Sequence, residues 1–503
     1  MRVFPFLASA MLSISSANAG DRGSADVCCN ALNRDYLLKG KVYFPGTPAY
    51  EARLNTYFDA NAAQRAWCMV LPKSTRDASR VMRTLSKYKC PFGIKSGGHG
   101  TFKLSNAVKD GVTIDLGFMN GTTYYPERGV VGIEPAAKSA PAYEALEKYG
   151  VTVTGGRVGP VGLGGFVSGG GISFHAGAHG WACDNVENFE VVLANGKVIN
   201  ANEHEHSDLW RVMRGGSGNF GLITRLDMKA IKFANPAEPH IFGGLVAYDL
   251  SKGKEVADAY INFAENIHND PYSSVVIWWY YNRDAGEMVL VACLDNSANQ
   301  VNPPAMKEFL SIDGIVSNTL RSATMGNITR ELAGDDGFYN IWFPSNFKND
   351  PRIISYAQEK HEELIQALEA VVSAGEFLST QCQFQPVSKT VVDHSNNNNV
   401  MGLESHVADG PGILFLMYVT VGTAADEAVA LPLVRAYHED LNHYASSLGI
   451  NWNWIYLDYA NLEQDPISTF GEDNIRKMKK ASVKYDPDGV FQKLRGSGFK
   501  IPT

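Results

Sequence analysis

The chain has 503 residues, 45% hydrophobic and 19% charged, which fits a soluble globular enzyme with material for two or three domains. A formal net charge of −8 without any basic stripe argues against a nucleic-acid partner, because nothing is present to neutralise phosphates. The 48 glycines and 22 prolines point to many tight turns, and the glycines are clustered.

The opening "MRVFPFLASAMLSISSANAG" has a positive start at Arg2, an apolar run and a small-residue cleavage site at Ala17-Asn18-Ala19. It reads as a signal peptide over residues 1–19, too short for a permanent anchor. No later run is long and apolar enough to span a bilayer, so no membrane partner is expected. The expected location is outside the cell or in a secretory vesicle lumen. In that oxidising compartment Cys28, Cys29, Cys68 and Cys90 form two disulfides. Neighbouring Cys28 and Cys29 bond each other only with strain, so each reaches Cys68 or Cys90, with the pairing open. Cys183, Cys293 and Cys382 read as buried thiols, and Asn120-Gly-Thr and Asn327-Ile-Thr as glycosylation sites.

After an N-terminal segment (20–61), "KSTRDASRVMRTLSKYKCP" predicts a helix capped by Ser74, with Ala78, Val81, Met82 and Leu85 inward and Pro91 beyond its end. Strands are expected at 91–95, 112–116 and 130–135. A second helix, "SAPAYEALEKYG", takes Ser139 as cap, turns Ala142, Leu146 and Tyr149 inward and stops at Gly150. Asn195-Gly196 between apolar runs predicts a hairpin, and Ser207 a cap after a polar turn. These elements make one α+β domain over 62–233; the texture then changes over 234–440, and again in a last segment, 441–503. The middle part holds strand-like "SSVVIWWYYN" and "MVLVACLD", a long helix in "YAQEKHEELIQALEAVVSAG", and "HSNNNNV", a polar loop without packing capacity.

Three glycine-rich stretches carry the chemistry: "KSGGHG" (95–100), "GGRVGPVGLGGFVSGGGISFHAGAHG" (155–180) and "RGGSGNFG" (214–221). Apolar residues interrupt the second regularly, which a linker does not need, so the backbone there approaches a ligand such as a phosphate. The formal G-x-G-x-x-G at Gly216, Gly218 and Gly221 is not a nicotinamide fingerprint, since it follows a helix, opens into a strand and lacks the later acid. His175 and His179 sit four apart in a poor helix with no third ligand in register, so no metal is expected.

With "YLDYAN" and "YDPDGVF" near the end, these stretches resemble, in order and spacing, the FAD-linked oxidoreductases of vanillyl-alcohol-oxidase type, in the berberine-bridge-enzyme-like subgroup. The paired early cysteines resemble those of secreted fungal members. The resemblance implies an α+β, two-domain flavoprotein: an FAD-binding domain of VAO/PCMH type, joined by the returning C-terminal segment, and a substrate domain with an antiparallel sheet backed by helices. It places FAD against Lys95, Ser96, Gly97, Gly98, His99 and Gly100. Gly162, Gly164, Gly165, Gly169 and Gly170 from the second stretch, and Gly221 and Ile223 after the third, complete the cofactor site it implies. His99 would bond covalently to the flavin, and Val158, standing where many relatives carry a second linking cysteine, implies a single bond.

Of the terminal tyrosines, Tyr459 matches the family's catalytic base and Tyr456 its companion. A phenol with a pKa of about 10 is a poor base at neutral pH unless phenolate is stabilised, and an ionised Asp458 beside it would work against that. Trp278, Trp279, Tyr280, Tyr281 and alternate residues of "QCQFQPV" are candidate walls of the substrate pocket. The implied activity is an FAD oxidase acting on a small alcohol or phenol of fungal secondary metabolism, by alcohol oxidation, desaturation or oxidative cyclisation, with oxygen reduced to hydrogen peroxide. The alternatives are a secreted carbohydrate oxidase and a flavin-bound cyclase scaffold without net redox chemistry.

Overall fold

The computed structural model describes residues 19–235 and 238–503; the signal-like residues 1–18 lie outside them. The helix Thr75–Tyr88 starts as its sequence dictates, with Ser74 accepting the Asp77 N–H at 3.2 Å and Ala78, Val81, Met82 and Leu85 buried. It ends at Lys89, in the left-handed conformation, two residues before Pro91. Beneath it lies a four-stranded sheet in the order Val42–Tyr43, Cys68–Val70, Val112–Asp115, Phe92–Lys95, its last three strands mutually parallel. Cys28 is bonded to Cys90 and Cys29 to Cys68, tying the N-terminal helix Ala19–Arg34 to this sheet.

A five-stranded antiparallel sheet follows, in the order Thr122–Tyr125, Val130–Ile133, Leu222–Lys229, Val186–Val192, Val198–Asn202. The hairpin at Asn195-Gly196 joins its last two strands, with Gly196 at φ +79°. Three local expectations are corrected. The helix Ser139–Glu147 has Lys138 at its N-cap, because the Ser139 hydroxyl instead donates to Val161 O and accepts from Gly156 N–H. Tyr149 points outward, 53% exposed, beyond the end of that helix. Ser207 is the first helical residue rather than the cap, which is His206.

The second unit is a nine-stranded antiparallel sheet whose central strands are Ser273–Asn282, Leu378–Val387, Gly412–Val421 and Tyr339–Lys348. The helices Gly253–Asn266, Pro351–Val371 and Ala424–Ser447 share one apolar core with the buried face of this sheet. The last of them runs through the expected boundary at 440, and Asn451–Trp452 still pairs with the sheet. Beyond it the chain returns: Phe92 N–H donates to Leu494 O, and Gly496 N–H to Phe92 O. The asparagine loop after His394 is not idle, contrary to its composition. Asn399 donates to Asp184 Oδ1 at 2.9 Å, and Arg214 donates to Asn398 O at 3.2 Å, docking the loop on the glycine-rich domain.

Among the described residues no helix is long and apolar enough to cross a membrane.

Candidate functional site

The glycine stretches of the first unit and the open face of the second sheet enclose a cavity of about 570 Å³. Two glycine stretches meet there backbone to backbone. A Cβ on Gly97 would lie 2.4 Å from the Cα of Gly162, and one on Gly162 equally close to Gly97. No other residue fits either position. Gly164 N–H donates to Pro135 O, and a Cβ on Gly221 would strike Val191 at 2.3 Å.

Of the expected cofactor residues, Ser96, Gly97, Gly98, His99 and Gly100 line the cavity, as do Gly162, Gly164 and Gly165, and Gly221 with Ile223. Lys95 does not. Its ammonium is buried beside Asp115 at 3.4 Å, bonds Thr56 and lies over the Tyr57 ring, while Arg53 grips the same aspartate. Gly169 and Gly170 lie behind the wall: a Cβ on Gly169 would overlap Asp458 Oδ1 at 1.9 Å, and one on Gly170 would sit 3.3 Å from the Tyr456 ring. Gly169 makes room for Asp458, and Gly170 for Met401, whose sulfur would lie 2.7 Å from a Cβ there, and for the Tyr456 ring.

His99 is held as a neutral imidazole. Its ring stacks on Phe58 with centroids 4.0 Å apart, and Phe58 is itself fixed between Gly98 and Gly337 by backbone hydrogen bonds. Burial lowers the His99 pKa to about 4. Its Nε2 is buried without a hydrogen-bond partner. Among the described residues, the N–H groups of Gly97, Gly98, His99 and Gly100 likewise pair with no protein acceptor. Successive free amides beside glycine backbone suit a diphosphate, and an unpaired imidazole nitrogen suits the edge of a flavin ring, so these residues fit FAD.

The other wall carries the tyrosines. Tyr456 is buried, accepts the Gly171 N–H at 3.0 Å and donates to Asp458 Oδ2 at 3.0 Å. Burial raises its pKa well above that of a free phenol, so it remains a hydrogen-bond donor. Burial also pushes Asp458 up to about 8, so at neutral pH this carboxyl holds its proton and presents no charge. The premise that an ionised Asp458 opposes a neighbouring phenolate therefore does not hold here. The Tyr459 hydroxyl lies 3.4 Å from the Arg157 guanidinium and 3.3 Å from the Gln385 amide, both of which donate to it. Arg157 also bonds the Gln385 carbonyl, so the two donors hold one another in place.

Arg157 is not among the site residues expected from the sequence, whereas Gln385 is one of the alternate residues of "QCQFQPV". Apart from histidines, Arg157 is the single charged residue in the stretch 155–180, a signal available from composition alone. Gln385 follows from strand alternation: Gln381 and Gln383 line the cavity, while Cys382 and Phe384 are in the core. The same alternation splits the aromatic run. Trp278 lines the cavity, Trp279 is buried under the helices, and Tyr281 bonds Glu369 on the helix side. Trp342 and Tyr418 complete the aromatic wall, with Trp342 edge-on to Tyr459 at 5.4 Å.

Residues 66–202 match the FAD binding domain family. The chain is 34% identical over 487 residues to the FAD-dependent monooxygenase drtC of Aspergillus calidoustus, covering 94% of this chain and 90% of the relative. It is 35% identical over 482 residues to the FAD-dependent monooxygenase sdcF of Emericella nidulans, covering 95% and 98%. A solved structure of a berberine bridge enzyme variant in complex with (S)-reticuline superposes with a TM-score of 0.74 at 16% identity, over 95% of this chain and 99% of that one. With the glycine cradle, the neutral histidine and the paired tyrosines, these likenesses show that the chain is an enzyme belonging to the FAD-linked oxidoreductases of vanillyl-alcohol-oxidase type, berberine-bridge-enzyme-like.

Proposed function

We propose that this protein is a secreted FAD oxidase of a small phenol or alcohol from fungal secondary metabolism, with Tyr459 as the base. The observation that carries the reading is the Tyr459 hydroxyl, which takes two donations from Arg157 and Gln385 in the cavity that His99 also lines. A guanidinium at that distance attracts the negative charge that a base carries on its oxygen, whereas burial keeps the neighbouring Tyr456 a hydrogen-bond donor. Tyr459 then accepts the substrate's hydroxyl proton while Gln385 holds its ring in place. Tyr456 and the protonated Asp458 keep the adjacent wall uncharged. Trp278, Trp342 and Tyr418 supply flat apolar surface, and Gln381 and Gln383 supply amide donors and acceptors. That combination suits an oxygenated aromatic ring better than an oligosaccharide.

FAD, when bound, supplies a two-electron acceptor that oxygen restores. His99, neutral and with an unpaired Nε2, is the residue that would hold it covalently, and Val158, which also lines the cavity, has no thiol for a second bond. The signal-like start, the two disulfides and the exposed Asn120 and Asn327 support passage through the secretory pathway.

The relatives' name, monooxygenase, makes the fate of oxygen the point to measure. The test is anaerobic bleaching of the bound FAD by a panel of hydroxylated aromatic metabolites, followed by turnover under labelled oxygen. Peroxide release equal to substrate consumed, with no label in the product, is expected. Label in the product would replace oxidation by oxygen transfer, and product formed without flavin bleaching or oxygen uptake would support a cyclase scaffold.

A further inference from the structure

Among the described residues, a buried cation in the glycine-rich half of the cavity has no counter-charge. Arg495 is 4% exposed and lines the cavity wall. Its Nε donates to Phe491 O at 3.3 Å, and its Nη2 to Asn219 Oδ1 and Phe499 O, each at 2.7 Å. All three acceptors are neutral. Among the described residues no carboxylate lies within 4.0 Å of this guanidinium. Its Nη1 is turned to glycine backbone instead: a Cβ on Gly218 would lie 3.0 Å from it, and one on Gly498 3.1 Å. Lys500 adds no second charge at neutral pH: burial, and then the nearby Arg495, lower it to about 6, and its amine donates to Ser497 O and Phe491 O.

A buried, unpaired charge is strongly unfavourable unless a partner arrives. Burial pulls Arg495 down to about 9, with no carboxylate acting in the other direction. Every neighbour named above belongs to the glycine-rich unit or the returning C-terminal segment, and none to the second sheet. Gly498 in turn approaches Ser105 O, and Ser105 packs against Gly100 of the first glycine stretch. Arg495 thus lies along the run of backbone, from Gly498 through Ser105 to Gly100, that leads to the free amides. We propose that Arg495, whose guanidinium Gly218 and Gly498 admit to the cavity wall, is the counter-ion of a diphosphate in the cavity, and that this diphosphate is the one in FAD. A fork of guanidinium N–H groups matches phosphate oxygens, and glycine allows the approach.

The proposal rests on the FAD reading of the cavity, and the test separates the two. His99→Ala protein is stripped of flavin at high bromide and titrated with FAD and with riboflavin, which lacks phosphate, following flavin fluorescence. Introducing Arg495→Met should weaken FAD on the order of ten- to a hundredfold and leave riboflavin unchanged, with Arg495→Lys recovering part of the loss. In protein retaining Arg495, ADP should compete with FAD and adenosine should not. If the methionine variant does not fold, this competition and the lysine variant still decide. Equal loss of FAD and riboflavin affinity would make Arg495 a structural residue and overturn the proposal. So would unchanged FAD affinity, or competition by adenosine as strong as by ADP. Protein that binds neither FAD nor riboflavin before Arg495 is altered would overturn the cofactor reading of the cavity as well.

Discussion

Replacing Arg157 with methionine keeps much of the side chain's length and removes its charge. The guanidinium nitrogen is 3.4 Å from the Tyr459 oxygen, and the side chain is half-buried. Opposite unit charges about 4 Å apart attract by about 1 kcal/mol in bulk water and about 4 kcal/mol at an effective dielectric constant of 20. A site between these limits gives on the order of 2 kcal/mol for phenolate beside Arg157, or about thirtyfold in the rate of a step that needs it. The assay is anaerobic stopped-flow reduction of the bound FAD. Arg157→Met should slow reduction by about that factor, with the flavin spectrum unchanged. Arg157→Lys should lose less, retaining charge but not the fork. An unchanged rate, or a loss as large in the lysine variant as in the methionine variant, would refute stabilisation of charge on the Tyr459 oxygen by Arg157.

His99→Ala should release yellow flavin on acid precipitation while native protein still binds some FAD, and wild-type precipitate should stay yellow, with the flavin on the peptide containing His99. Asp458→Asn should leave flavin reduction within about twofold at pH 6–7, where the carboxyl already holds its proton, and change the profile above about pH 8. The stability sign follows from the same shift: the folded pKa lies above the unfolded value of about 3.9, so stability falls as pH rises towards about 8, and the asparagine variant should lack that fall in Tm. Peptide mapping without reduction should return Cys28–Cys90 and Cys29–Cys68, and loss of either bridge should cost about 2–5 kcal/mol by chemical denaturation; the crossed pairing would contradict the fold of the N-terminal helix.

The fold was legible where local chemistry and pattern agree. Ser74, the Asn195-Gly196 turn and the apolar spacing of the Thr75–Tyr88 helix each act within a few residues, and each stands as its sequence implied. Ser139 shows the limit: its hydroxyl serves residues 156 and 161, a long-range demand that overrides its capping preference. The glycine stretches could be read as ligand-facing because interleaved packing residues exclude a linker. The second layer could not. Gly169 and Gly170 looked like cradle residues but give space to Asp458 and Tyr456, and Lys95 serves an ion cluster behind the strand. Charge state was the least legible property. Asp458 is neutral at neutral pH because tertiary packing buries it, which no neighbour in the sequence announces.

The central claim, that Tyr459 is the base of this oxidoreductase, is tested most directly by Tyr459→Phe in the same anaerobic experiment, using whichever panel member bleaches the wild-type flavin fastest. Removing one hydroxyl leaves the ring packed edge-on against Trp342 and leaves FAD binding intact. The account predicts a normal flavin spectrum, substrate binding within a few-fold, and flavin reduction slower by about a hundredfold or more. A phenylalanine variant that reduces its flavin at the wild-type rate would contradict it and place the base elsewhere in the cavity.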